Sequence, residues 1–248
     1  VCSSDLTMIR AGVETVVNPL DLYAIETAIR LKEAHGGTVT VISMGPPPAE
    51  KAIREAMSMG CDAGILISDR KFSGSDTWAT SYTLAAAIRK IGRFDLVVAG
   101  ERATDGDTAQ VGPGIASWLD IPLATDVARI DAVSDGTIVV ERLVEEGYQI
   151  VELSMPALVT VVKEIAVPRL PTLRGKKRSK AAAVPLYDAA AMDVDQSSLG
   201  LKGSPTKVVK IGTPKVTRGG SIVTADSDET VVTAVDRLIE FLESRDLV

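Results

Sequence analysis

The chain is poor in the residues that most often carry metal and nucleophile chemistry. Its 248 residues include only two cysteines, Cys2 and Cys61, too few for a disulfide framework, an iron–sulfur cluster or a cysteine-rich zinc site. Any redox chemistry then belongs to a bound organic cofactor. There is one histidine, His35, in LKEAHGG, where a helix is expected to end. A cation in the last turn complements the helix dipole, so His35 reads as a helix-terminal residue rather than a catalytic one. No serine or cysteine has an evident histidine to activate it. No catalytic residue and no metal ligand is assigned.

Positive charge is in deficit as well: 27 Lys and Arg stand against 33 Asp and Glu, a net charge of −6. That balance argues against a general nucleic-acid surface or an anionic-membrane binder. No apolar run approaches the roughly 20 residues needed to span a bilayer, and the sequence opens on nothing like a secretory signal. A cytoplasmic protein without direct membrane insertion is expected. What the chain does have is apolar mass: 46% hydrophobic residues, enough for a sizeable core.

Helical and extended patterns alternate from Asn18 onward. A helix is expected from Asn18-Pro19 to Gly36-Gly37, a strand over Thr38 to Ser43, a helix from about Pro48 to Met59 stopped by Gly60, and a strand over Ala63 to Ser68. Asp76 to Ile91 reads as a third helix capped by Asp76, with Trp78, Leu84 and Ile88 among its apolar positions. Phe94 to Ala99 is a continuous apolar strand of the kind buried on both faces, and such an alternation implies a parallel sheet covered on both sides. A short helix over Ala109 to Leu119 follows. Then come three strands, Val127 to Val133, Thr137 to Val144 and Gln149 to Leu153, forming an antiparallel meander, and MPALVTVV at 155–162 returns to the main sheet. The fold class expected is α/β: a doubly wound, mainly parallel sheet with a meander and an extended C-terminal arm ending in a helix, Glu229 to Ser244. The domain boundary is placed after residue 185, with 186–248 as the arm. The apolar side of that last helix, Val231, Val235, Leu238 and Leu242 among its residues, has little core nearby and is expected to dock on something else.

The stretch GERATDGDTAQVGPG, residues 100–114, leaves the carboxyl end of the Phe94–Ala99 strand, where parallel sheets place their ligand crevice. Small residues at Gly100, Ala103, Gly106 and Ala109 let a ligand approach the backbone, and Asp107 or Thr108 is expected to cap the next helix and leave amides aimed at a phosphate. The loop is neither a Walker A sequence nor a G-x-G-x-x-G fingerprint. Spacing alone leaves a second reading open, in which Asp105 and Asp107 are turn residues and the glycines only permit a tight connection. RGKKRSK at 174–180 divides likewise between a solvated charged face and, beside Pro168, Pro171, Leu170 and Leu173, a docking segment.

AGERATDGDTAQVGPGIASWLDIPLATDV, together with NPLDLYAIETAIRLKE, VISMGPPPAEKAIREAMSMGCD, MPALVTVV and PRLPTLRGKKRSKA in the same order, resembles the beta subunit of electron transfer flavoproteins. SDRKFSGSDTWATS at 68–81 resembles bacterial members, some of which bifurcate electrons. The resemblance implies a doubly wound domain whose C-terminal arm wraps an alpha subunit. It implies an FAD shared with that subunit and, in the beta chain, AMP or, in bifurcating members, a second FAD. The nucleotide falls to Asn18, Pro19, Leu20 and Asp21, to Met44, and to Gly100, Glu101, Arg102, Ala103, Thr104, Asp105, Gly106, Asp107, Thr108, Ala109, Gln110 and Val111. It also implies a recognition loop at about 164–180 that anchors acyl-CoA or other flavoprotein dehydrogenases through Leu173, with Leu170 and Arg174 beside it, against acidic surfaces. NADH is a further reactant in the bifurcating type. The family opens on a strand such as IVVCVKQVPD, and VCSSDLTMIRAG has nothing equivalent, so a sheet strand and part of the nucleotide contacts are expected to be missing. Where many relatives carry a basic residue and Gln, this chain has Glu101-Arg102. Glu101 is expected to turn to solvent and Arg102 to pair with a phosphate or a flavin anion. The competing function, motivated by the loop alone, is a stand-alone adenine-nucleotide binding or sensing protein.

Overall fold

The structure, a computed structural model, describes residues 15–210 and 222–247. The expectation of a missing first strand, and Cys2 with it, lies outside the described residues.

Each helix of the domain starts and stops for a visible reason. Helix α1 (Asp21–His35) carries Asp21 in its first turn and Lys32 and His35 in its last, signs that suit the helix dipole, and ends at Gly36 with φ +81°. Helix α2 (Glu50–Met59) follows a tight Pro47–Ala49 turn and stops at Gly60, φ +150°. Helix α3 (Thr77–Ile91) has the expected cap: Asp76 Oδ1 accepts the Ala79 N–H at 3.0 Å. Its buried side is made of small residues, Ala79, Thr83, Ala85 and Ala87, with Ile88. Trp78, expected on the apolar side, is 42% exposed, because the α3 face toward the core is too close-packed to seat an indole.

The strands among the described residues form two sheets. β1 (Thr40–Met44), β2 (Ala63–Ile67) and β8 (Leu186–Tyr187) pair in parallel in the order β1-β2-β8. β3 (Leu96–Gly100), β7 (Ala157–Val161), β4 (Leu123–Ser134), β5 (Thr137–Val144) and β6 (Gly147–Ser154) make the second, in that order. β3, β7 and β4 are parallel, while β4-β5-β6 is the expected antiparallel meander. All five residues of β7 are buried, as a strand with neighbours on both edges and cover on both faces should be. β3 was expected to be as deeply buried and is only half-buried along its length. The reason is its position: β3 and β1 are edge strands among the described residues. Both lean on the same cover, since Ile42 of β1 and Val97 of β3 pack into one cluster with Ala85 and Ile88 of α3 and with Leu158 of β7.

Helix α4 (Val111–Leu119) begins two residues later than expected because Ala109 has φ +54°, which a helix cannot contain. Two glycines of α4 allow close packing. A Cβ on Gly112 would stand 2.5 Å from Thr160 Cγ2 of β7, and one on Gly114 would stand 2.5 Å from Ser81 Oγ of α3. Helix α5 (Leu173–Ala181) is capped by Thr172, whose Oγ1 accepts the Gly175 N–H at 2.9 Å. Its buried side is Gly175 and Ser179, spaced one turn apart against α2. Residue 185 is followed directly by β8, then by helix α6 (Gly200–Gly203), and packing continues to the end of the first compact unit at Val209.

The second unit, from Lys210, holds helix α7 (Asp228–Glu243), one residue offset from expectation. Ser227 and Thr230 form a capping box at its start. None of its residues is buried, and Val231, Val235, Leu238, Ile239 and Phe241 are all exposed.

Candidate functional site

Asn18 and Asp21 tie the start of α1 to the glycine loop. The Asn18 carbonyl accepts the Asp21 N–H at 2.9 Å, forming the turn that opens the helix. The Asn18 side chain then reaches the loop twice: its Nδ2 donates to the Arg102 carbonyl at 2.9 Å, and its Oδ1 accepts the Thr104 N–H at 3.1 Å. Asp21 Oδ1 accepts the Gly100 N–H at 3.0 Å. Gly100 must be glycine, since a Cβ there would lie 2.5 Å from that same Oδ1 and 2.8 Å from the Leu20 carbonyl carbon. Burial raises the Asp21 carboxyl above the ordinary aspartate range, and hydrogen bonds from Asn18 and Gly100 offset it only in part. Pro19 is exposed and Leu20 half-buried on the bend between them.

The loop itself is open. Arg102 through Gln110 are all exposed. Asp107 donates its N–H to the Ala103 carbonyl at 2.8 Å, closing the Ala103–Asp107 turn. Asp107 and Ala109 have φ of +51° and +54°, and Gln110 returns to the right-handed region with φ −97° and ψ −18°. A left-handed residue followed by a right-handed one turns successive N–H groups toward a common point, a backbone nest for an anion. Among the described residues, the amides of Thr108, Ala109 and Gln110 have no protein acceptor. They run directly into the free N–H groups of the first turn of α4.

Two expectations about these side chains are corrected. Neither Asp107 nor Thr108 caps α4: the N-cap position is Gln110, with no side-chain cap bond, because the left-handed Ala109 separates both residues from the helix. Asp107 instead pairs with Arg102, Nε to Oδ1 at 2.9 Å. Glu101 does not turn to solvent. It is about one-fifth exposed and approaches Arg102 Nη1 at 3.3 Å, so Arg102 is held by two carboxylates of its own loop.

Met44 ends β1, one residue past the expected strand, and packs into the cluster of Ile67 and Phe72. At the far end of the loop Gln110 Oε1 accepts the Thr77 hydroxyl at 2.9 Å, joining the loop to the start of α3. There, Thr77, Ser81, Trp78, Trp118 and Gln110 line a cavity of about 290 Å³. Trp118 stands edge-on to Trp78 at 4.9 Å and to Tyr82 at 5.0 Å. Sequence reasoning missed this neighbourhood. The SDRKFSGSDTWATS block held the signal, but a helix that starts beside a distant loop is not visible in spacing.

The segment at 164–180 divides by residue. Leu170 and Leu173 are 85% and 87% exposed, with Val167 at 81%. Arg174 is exposed beside them. Arg178 is structural, its Nη2 donating to the carbonyls of Met57 and Cys61 at 3.0 and 3.1 Å. The base of the segment is held by a pair the sequence did not reveal. Arg169 Nε and Nη2 donate to the two oxygens of Glu26 at 2.8 and 3.1 Å, and its backbone N–H donates to the same carboxylate at 3.1 Å. Burial alone would raise the Glu26 carboxyl, but the bonds from Arg169 and Arg30 outweigh it and hold the group below the usual range.

No group of histidine, cysteine or carboxylate side chains able to hold a metal occurs among the described residues, and no helix among them is long and apolar enough to cross a membrane. Against known proteins, residues 5–192 match the electron transfer flavoprotein domain. The electron transfer flavoprotein subunit beta of Thermoanaerobacterium thermosaccharolyticum is 47% identical over 243 residues, 98% of this chain and 91% of that protein. The subunit beta of Clostridium acetobutylicum is 44% identical over 94% of this chain and 90% of its own length. The CarD subunit of the caffeyl-CoA reductase-Etf complex of Acetobacterium woodii is 41% identical over 94% and 90%. With a domain match over most of its length and beta subunits similar across nearly all of it, the chain belongs to the electron transfer flavoprotein family, among the beta subunits.

Proposed function

We propose that this chain is the beta subunit of a heterodimeric electron carrier whose glycine loop holds the phosphate of an adenine nucleotide, either AMP or the ADP part of a second FAD. The observation that carries the reading is the run of amides from Thr108 to the first turn of α4 that have no protein acceptor among the described residues, on an exposed loop bent by a left-handed Ala109. Glu101, Asp105 and Asp107 outnumber Arg102 in the loop; Arg102 draws Glu101 and Asp107 to itself, and the attraction for an anion rests on the amides rather than on side-chain charge. Arg102, itself exposed, can exchange a carboxylate for a phosphate oxygen as the nucleotide enters. Asn18 and Asp21 hold the loop's entry in place, and Gly100 allows α1 to approach it closely.

A flavin bound in the heterodimer supplies the redox chemistry, accepting electrons from one partner and passing them to the next. The chain's residues bind and orient. Leu170 and Leu173, exposed on a Pro-bounded segment and followed in the chain by exposed Arg174, Lys176 and Lys177, suit a transient contact with acidic surfaces of flavoprotein dehydrogenases: few apolar anchors carry affinity while rim charges speed encounter. The exposed stripe of α7 suits the alpha subunit. If the second nucleotide is FAD, NADH is the expected reductant of the complex.

Co-expression with the alpha subunit of the same source tests this. A yellow heterodimer with a flavin spectrum is expected, and a colourless chain that ignores the alpha subunit contradicts it.

A further inference from the structure

Helix α1 touches both proposed sites. Its first residue and the turn before it fasten the glycine loop, through Asp21 to Gly100 and Asn18 to Arg102 and Thr104. Five residues on, about 7.5 Å along the axis, Glu26 fastens the base of the exposed Leu170–Leu173 segment. The fastening is unusually complete. Glu26 has a side chain 3% exposed, and it receives the backbone N–H and two guanidinium nitrogens of Arg169. Arg30, one turn later, donates to Glu26 at 2.7 Å and to the Val167 carbonyl at 3.5 Å. Glu33, a further turn on, accepts from Arg169 Nη1 and Nη2 at 2.6 and 2.9 Å. Three residues spaced i, i+4, i+7 thus form one rail on α1, and Arg169 is clipped along it. The backbone on both sides of Arg169 carries the exposed apolar groups Val167, Leu170 and Leu173.

We propose that Glu26 is the positioning residue of this docking segment and that α1 couples it to the nucleotide loop, so that filling the glycine loop orders residues 167–175 for an acidic partner surface. The physical basis is a single rigid element with hydrogen-bonded grips at both places. A ligand that fixes the Asn18–Asp21 turn against Gly100–Thr104 removes freedom from the helix that Arg169 is clipped to, and the two sites then share the ordering cost. The apolar side chains of this segment, Val167, Leu170 and Leu173, are exposed, so they add little packing of their own and the segment's order depends on its backbone anchors, Arg169 among them.

The inference rests on the nucleotide reading of the glycine loop, and hydrogen exchange of the full chain in its complex with the alpha subunit separates the two. Exchange is followed in peptides covering 100–112 and 167–175, in nucleotide-stripped protein and after adding AMP or FAD. In the wild type, nucleotide is expected to slow exchange in both peptides, at 167–175 on the order of fivefold, the low end of typical coupling. In Glu26→Gln the slowing at 100–112 is expected to remain and that at 167–175 to vanish. Arg169→Lys, which keeps the charge and loses the fork, is expected to do the same and covers the case in which Glu26→Gln does not fold. Slowing at 100–112 alone in the wild type, or coupling that survives both variants, overturns the coupling and leaves the nucleotide site standing. Slowing at neither peptide overturns both.

Discussion

The Asp21 carboxylate accepts the Gly100 N–H at 3.0 Å, across 79 residues of sequence and at a point where no side chain fits between helix and strand. Gly100→Ala would place a methyl group 2.5 Å from that oxygen and 2.9 Å from the Asp21 amide nitrogen. It is expected to cost about 1–3 kcal/mol, the usual range for overpacking, and to weaken nucleotide binding, because the loop departs from this point. Urea unfolding and AMP titration of the variant check both effects.

Asp21 also predicts a pH dependence. Its folded carboxyl is raised by burial, so between the unfolded and folded values the native state binds more protons than the unfolded one, and stability falls as pH rises through that window. At neutral pH the ionised group is a net cost. Asp21→Asn keeps an oxygen for the Gly100 N–H and removes the charge, so its melting temperature should exceed that of the wild type at pH 7 and converge with it on acidification below the ordinary aspartate range. A constant difference at all pH values would argue against the assignment.

Much of this was legible in the sequence, and the reasons are local. Asp76 before a helical run is a cap by chemistry alone, and the structure has it. MPALVTVV is apolar throughout, as a strand inside a covered sheet must be, and β7 is buried along its whole length. Glycines and aspartates behind an apolar strand marked the stretch after Ala99 as a loop, and residues 102–110 form an exposed one. What was not legible is what depends on neighbours distant in sequence. Nothing in GDTAQV says that Ala109 is left-handed, so the helix was begun too early and the capping role went to the wrong residues. Nothing in ERATDGD says that Arg102 will fold back on Glu101 and Asp107. Nothing in ETAIRLKE says that Glu26 will be buried against Arg169, 143 residues away.

Ala109 tests whether the loop shape serves a ligand. A non-glycine residue in the left-handed region costs roughly 1–2 kcal/mol. Ala109→Gly should therefore leave stability unchanged or raised by up to about 1 kcal/mol, while Ala109→Val, β-branched at φ +54°, should lower it and reduce AMP affinity. Thermal melts with and without AMP separate the two variants.

Leu170 and Leu173 project into solvent, so Leu170→Ala and Leu173→Ala should change stability by less than about 0.5 kcal/mol. Electron transfer from a partner dehydrogenase should nonetheless fall, with a docking loss of about 2 kcal/mol for a true anchor. Steady-state assays at varied complex concentration should show the loss as a raised KM with little change in kcat.

Glu26→Gln should be destabilising for a different reason. Removing the charge takes from Arg169 its buried carboxylate partner while Glu33 remains, and the loss is expected to be about 1–3 kcal/mol. Because the Glu26 carboxyl is held below its usual range, the stability it provides is present above the unfolded glutamate value and is lost as pH falls through the folded one. Wild type and variant should accordingly converge in stability at low pH.

The central claim is that the amides at Thr108–Val111 hold the phosphate of an adenine nucleotide. It is tested most directly by heating the purified heterodimer and quantifying what is released. The account predicts one adenine nucleotide per complex in addition to one FAD, either AMP or a second FAD, and its loss in Gly100→Ala. A complex that releases a single FAD and no other adenine nucleotide contradicts it.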